Sequence, residues 1–233
     1  MHESAFGRVL GVLIAPEKTF RSIAERPTWA VPLILLVVLG AGVGWIVGQR
    51  MDFEQTIRQE MADRGEKMSD DQIQKTVEMT EKFGWVFTTA PAALSPVIYL
   101  LIGLIFMVAL RLAGSEIGFA QSFSVTLYAM MPWVIHGLLS LPLILRLDTI
   151  DPATMQQGGV LTSNLAALAP EGSGKVLMAL LASIDLFSLW TLVLLIIGFR
   201  VVGRVSTTAA AGVSITLWLL YLAGKLGFAA AFS

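Results

Sequence analysis

The chain has 233 residues, of which 55% are hydrophobic and only 14% charged; an ordinary soluble domain has about 45–50% apolar and about 25% charged residues. A mean hydropathy of +0.74 makes a bilayer its natural solvent. The absence of cysteine excludes disulfides and thiolate chemistry, and with only two histidines a multi-histidine metal centre is not expected. A net charge of −1 offers no basic surface for nucleic acid.

Residues 1–28 form a segment of their own. Phe6, Val9, Leu10, Leu13 and Ile14 recur at helical spacing as one apolar face. Pro16 ends that piece, and a second short helix carries Phe20 and Ile23 up to Pro27. With Lys18, Arg21 and Arg26 nearby, the segment reads either as an interfacial anchor in the head-group layer or as a helix packed on the bundle. Its apolar run is short and lacks a small-residue cleavage pattern, so it is expected to be retained.

Residues 29–233 form the membrane domain. A spanning helix needs roughly 20 mostly apolar residues. Five stretches qualify: 29–48, 87–110, 120–145, 176–199 and 208–231. Pro132 and Pro142 interrupt the third. The fold expected is therefore all-α: a polytopic membrane helix bundle with about five transmembrane helices, N-terminal amphipathic helices and an extramembrane helical hairpin.

That hairpin is the polar stretch 49–86, which holds nine of the 17 acidic residues. Phe53, Ile57 and Met61 mark its first helix, and Gly65 is a stop. Ser69 and Gln72 form a capping box for the second, with Asp70 and Asp71 at its positive end. It reads as a solvated cap or as a partner-binding surface. Residues 146–175 form a second loop, flexible at Gly158, Gly159, Gly172 and Gly174, with a short helix expected within Leu161–Leu168.

Lysine and arginine counts near the span ends are seven against eight and do not decide orientation. The short loop with Arg200 and Arg204 and no acid favours a cytoplasmic N-terminus.

Two constellations lie inside the spans. Gly40, Gly44 and Gly48 repeat every fourth residue and present a face for close helix packing, against either an internal helix or a second copy. Asp185, His136 and Lys225 are titratable groups at membrane depth, the default functional candidates. At 1.5 Å per residue they fall roughly 4, 5 and 8 Å from their span midpoints, all on the outer side. A buried carboxylate needs a partner or a proton, so Asp185 is expected near His136 or Lys225. The two readings are an ionisable pocket and an internal strut. No phosphate loop, His-Glu-x-x-His or Gly-x-Ser-x-Gly motif is present, and no nucleophile, base and orienter come together. No enzyme activity, cofactor or metal is expected.

The order of several segments resembles the Yip family of Ypt/Rab-interacting membrane proteins, in its bacterial branch. Leu13-Ile14-Ala15-Pro16, Phe20, Ile23, Pro27, Trp29 and Pro32-Leu33 look like the family's lead-in to its first span. Gly114 to Phe123, then Tyr128 to Pro132, resemble its third-span entrance. Asp185-Leu186-Phe187-Ser188-Leu189-Trp190, through Leu194 and Gly198 to Val205-Ser206, resemble its fourth span and following turn. The hairpin around Ser69–Phe83 is similar to an insert of bacterial members. The resemblance implies a non-enzymatic protein of the bacterial inner membrane. Through its N-terminal amphipathic helices and outer hairpin, the chain is expected to organise the lipid bilayer, other membrane proteins or further copies of itself. Eukaryotic relatives bind Rab-type GTPases in vesicle traffic, machinery that bacteria lack. The alternative is a small transporter, channel or lipid-moving protein with a polar intramembrane pocket.

Overall fold

In the computed structural model, the structure describes residues 4–65, 68–151, 154, 159–170 and 173–231. Residues 1–3 and two of the expected loop glycines, Gly158 and Gly172, lie outside them. The amino-terminal segment is α1 (Ala5–Ile14) and α2 (Pro16–Glu25), with Pro16 opening α2 where its missing N–H costs nothing. The rest is α3 (Ala30–Gly48), α4 (Phe53–Arg64), α5 (Asp70–Leu112), α6 (Phe119–Ala129), α7 (Met131–Ile144), a 3-10 turn (Leu165–Leu168), α8 (Lys175–Ser183), α9 (Leu186–Val202) and α10 (Thr207–Ala231).

Four apolar stretches are long enough to cross a bilayer: Ala30–Gly48, Thr88–Leu112, Phe119–Ile144 and Thr207–Ala231. The fifth expected stretch is divided between α8 and α9, which at 9 and 17 residues are each shorter than those four. The chain is an all-α membrane helix bundle. Its outer surface is apolar, with Leu94, Val97, Leu101, Leu219 and Phe228 exposed on α5 and α10. Lipid, not water, is the solvent that such a surface fits.

The hairpin has the local chemistry that its sequence dictates. Asp52 caps α4 through Gln55, and Gly65 ends it at a φ of 67°. Ser69 and Gln72 cap each other at the start of α5. α5 does not stop at the membrane, however. It runs unbroken for 43 residues, about 65 Å, so one rod is both hairpin arm and second span.

Two expected single spans are each two helices. The third breaks at Met130, where Pro132 removes an amide two residues into α7. The fourth, expected as one helix over 176–199, breaks at Ile184–Asp185, both in non-helical conformations. The short helix expected within Leu161–Leu168 is reduced to the turn at its end.

The core lies toward the amino-terminal end of the bundle. α6 is buried on every side from Ser122 to Ala129. Its hydroxyls are satisfied by carbonyls: Ser122 Oγ donates to Gly103 O at 2.7 Å and Thr126 Oγ1 to Ser122 O at 3.0 Å. α9 packs against α2, α6, α7 and α10. At Gly198 a Cβ would stand 2.6 Å from Val125 Cγ1 and 2.9 Å from the Phe20 ring, so only glycine fits there.

Arg8 locks α1 and α2 onto this core. Its side chain is buried, yet Nη1 donates to Arg26 O at 2.8 Å and Thr28 Oγ1 at 3.0 Å, and Nη2 to Ser22 O at 3.3 Å. A cation thus sits at the negative C-terminal end of α2. Thr28 Oγ1 lies 3.1 Å from the fully buried Tyr128 hydroxyl, which donates to Ala5 O at 3.4 Å.

Candidate functional site

The break between α8 and α9 is made by Asp185. Its backbone is extended, and its Oδ1 accepts from the amides of Phe187 at 2.7 Å and Ser188 at 3.1 Å. Ser188 Oγ accepts in return from the Asp185 amide at 3.3 Å. Ser163 Oγ donates to the second carboxylate oxygen. The chain before the 3-10 turn runs antiparallel to the break, with Leu186 N donating to Ser163 O at 3.0 Å and Leu165 N to Ile184 O at 3.2 Å. These bonds satisfy the backbone groups that a break exposes at membrane depth.

The three titratable residues come into one neighbourhood without pairing directly. Lys225 Nζ donates to Ser183 Oγ at 2.9 Å. Ser183 Oγ donates in turn to Ala179 O at 2.7 Å, and the single proton of Ser188 Oγ lies between Asp185 O at 2.8 Å and Ser183 O at 3.2 Å, so Lys225 and the break meet at the same residue, Ser183. His136 packs edge-on against Phe187, with ring centroids 5.0 Å apart, and against Trp133 at 5.4 Å. Among the described residues, the carboxylate of Asp185 is met by Ser163 and two amides rather than by His136 or Lys225. The sequence signal for this was Asp-x-x-Ser at 185–188, a capping-box spacing that is easily overlooked inside an apolar run.

Below this polar cap, between α5, α7, α9 and α10, lies a cavity of about 680 Å³. Phe106, Met130, Trp133 and Leu195 are among its walls, and among the described residues none that lines it is charged. Thr191 and Ser214 also line it; their hydroxyls are buried and have no hydrogen-bond partner among the described residues. Sequence periodicity alone did not single out these two.

The glycines of α3 face α5. A Cβ at Gly44 would collide with the Thr88 carbonyl, one at Gly48 with the Thr88 hydroxyl, and one at Gly40 would touch Ala92 Cβ at 3.4 Å. This close approach falls where α5 passes from its polar to its apolar part.

A family model for the Yip1 domain matches residues 10–227. The chain belongs to the Yip1 domain family. No curated protein and no solved structure gives a significant match. The Yip1-domain match takes in α2 through most of α10, including the glycine face, the Asp185 break and the cavity beneath it.

Proposed function

We propose that this Yip1-domain protein is a non-enzymatic organiser of membrane or protein partners in the bacterial inner membrane, with its N-terminus cytoplasmic. The observation that carries this reading is on α1. Val9 and Val12 are buried while Phe6, Leu10 and Ile14, at i, i+4 and i+8, are 60%, 53% and 83% exposed. One face of α1 is thus anchored in the core, and the opposite face offers an apolar stripe to the head-group layer. At the other end of the bundle, the hairpin presents a charged groove around Glu54, Arg58 and Asp70. These two surfaces suit partners on both sides of the bilayer. A polar transport path is less favoured, because the Asp185 carboxylate is occupied in capping a helix.

The absence of native cysteine makes the test direct. A Leu10→Cys variant carrying a fluorophore, reconstituted in liposomes, is expected to be quenched by spin labels at head-group depth and shielded from aqueous iodide. A Ser69→Cys variant in intact cells is expected to react with an impermeant maleimide from the periplasmic side. Free iodide access at position 10 would remove the anchor, and labelling at 69 only after lysis would invert the topology.

A further inference from the structure

We propose that the cavity between α5, α7, α9 and α10 holds an acyl chain of one membrane phospholipid, with the lipid phosphate at Lys225. Five observations converge on this.

The cavity, about 680 Å³, lies within the range of sites that hold discrete small molecules. Its lining is apolar and aromatic, as a hydrocarbon chain requires. Its rim opens sideways to the bilayer: Ile105, Leu220 and Tyr221 line it and are 51%, 62% and 65% exposed. A ligand can therefore enter from the lipid phase without crossing water.

Hydrocarbon alone would leave a deficit. Thr191 is 6% exposed and Ser214 1%, and neither hydroxyl has a partner among the described residues. A buried hydroxyl without a hydrogen bond is costly. Thr191 lies six residues past Asp185 on α9, roughly 9 Å below the polar cap. An ester carbonyl, five or six bonds from the phosphorus, is the lipid group that would reach Thr191 from a phosphate at Lys225. Ser214 lies deeper, in the part of the cavity that the chain would fill, so the ester group answers Thr191 and not Ser214.

The head-group end has the matching charge. Lys225 follows Tyr221 by four residues, one turn along the same face of α10. Its Nζ has one described acceptor, the neutral hydroxyl of Ser183, and so keeps two further N–H donors. The nearby carboxylate of Asp185 is taken up by Ser163 and the amides of Phe187 and Ser188. Lys225 is thus a half-buried cation with no anionic partner among the described residues, placed at the mouth of an apolar slot. A phosphodiester supplies the missing anion.

The proposal concerns a resident lipid and stands apart from the organiser reading, whose test does not touch this cavity. The experiment uses the full-length protein in nanodiscs containing phosphatidylglycerol with a photoreactive diazirine in its acyl chain. After irradiation, adducts are mapped by peptide mass spectrometry. Adducts are expected to concentrate on the peptides of α5, α9 and α10 that line the cavity. Lys225→Gln should reduce them about five-fold, while Lys225→Arg retains them. Ser214→Leu, which fills the slot from within, should reduce them similarly, and Leu219→Ala on the outer face of α10 should change nothing. A diacylglycerol probe lacking the phosphate should label wild type and Lys225→Gln equally weakly. Adducts spread evenly over all lipid-facing peptides would overturn the proposal. So would equal labelling by both probes, or a cross-linked second copy seated in the slot. Unchanged elution of each variant on size exclusion separates loss of binding from loss of fold.

Discussion

Asp185 and Ser188 cap each other: the Asp185 carboxylate accepts from the Ser188 amide at 3.1 Å, and the Ser188 hydroxyl accepts from the Asp185 amide at 3.3 Å. This reciprocal pair starts α9 in the middle of an apolar stretch. It turns an acidic residue at membrane depth into the device that breaks a span. Asp185→Ala removes the acceptor for two amides and the partner of Ser163. It should destabilise the protein by about 1–2 kcal/mol. Asp185→Asn keeps an acceptor oxygen and should lose less. Thermal unfolding of the purified protein in detergent measures both; equal losses would mean that the carboxylate's charge, rather than its capping geometry, is what matters.

The contact between α3 and α5 leads to a second prediction. Gly44→Ala drives a methyl group into the Thr88 carbonyl, which is backbone and cannot rotate away. A loss of about 1–3 kcal/mol is expected as the helices separate. Gly42→Ala, on the same helix, meets nothing within 4 Å and should be neutral. The pair of unfolding midpoints separates helix packing from any general effect of replacing glycine. Comparable losses at both positions would contradict the contact.

Arg8 holds α1 and α2 together through carbonyls and a hydroxyl. Arg8→Leu removes these donors and leaves buried acceptors bare, which should cost about 1–3 kcal/mol. Hydrogen exchange should quicken first in α1 and at the end of α2, while α6 remains protected. Uniform loss of protection would show that Arg8 supports the whole core rather than this corner.

Glu17 joins α2 to α9. It accepts from Arg21 and from Arg200, each at 2.6 Å. These hydrogen bonds, that from Arg21 foremost and that from Arg200 next, hold its carboxyl below the ordinary value of 4.5. Because the folded value is the lower one, the contribution is full above about pH 4.5 and is lost as pH falls through the folded value. Exchange protection of α2 should therefore be flat between about pH 6 and 8 and decline in acid. In Glu17→Gln this acid-dependent step should vanish, and a step of unchanged size would assign it to another group.

The membrane class, the apolar stretches and the hairpin's caps were legible in the sequence because each is a property of one short segment. Ser69, Gln72 and Gly65 act on their own neighbours, so their spacing was sufficient. The break at Asp185 was written in the same local code but was hidden by the hydrophobicity around it, which argued for one continuous span. The resemblance to the Yip family, likewise read from ordered local motifs, agrees with the Yip1-domain match over residues 10–227.

What one segment does to another was not legible. Glycine spacing on α3 named a packing face but not its occupant; the fold places Thr88 and Ala92 of α5 there. The depths of Asp185, His136 and Lys225 indicated proximity, yet depth along a helix says nothing of rotation about it. Rotation decides that Lys225 reaches Ser183 while Asp185 turns to Ser163. The cavity with Thr191 and Ser214 belongs wholly to tertiary structure. It is a gap between helices, and each wall taken alone reads as an ordinary apolar span. The sequence by itself determined the solvent of this protein and the segments that cross it. Only the packing of those segments decided which polar groups are satisfied within the bundle and which are left facing a space that lipid can enter.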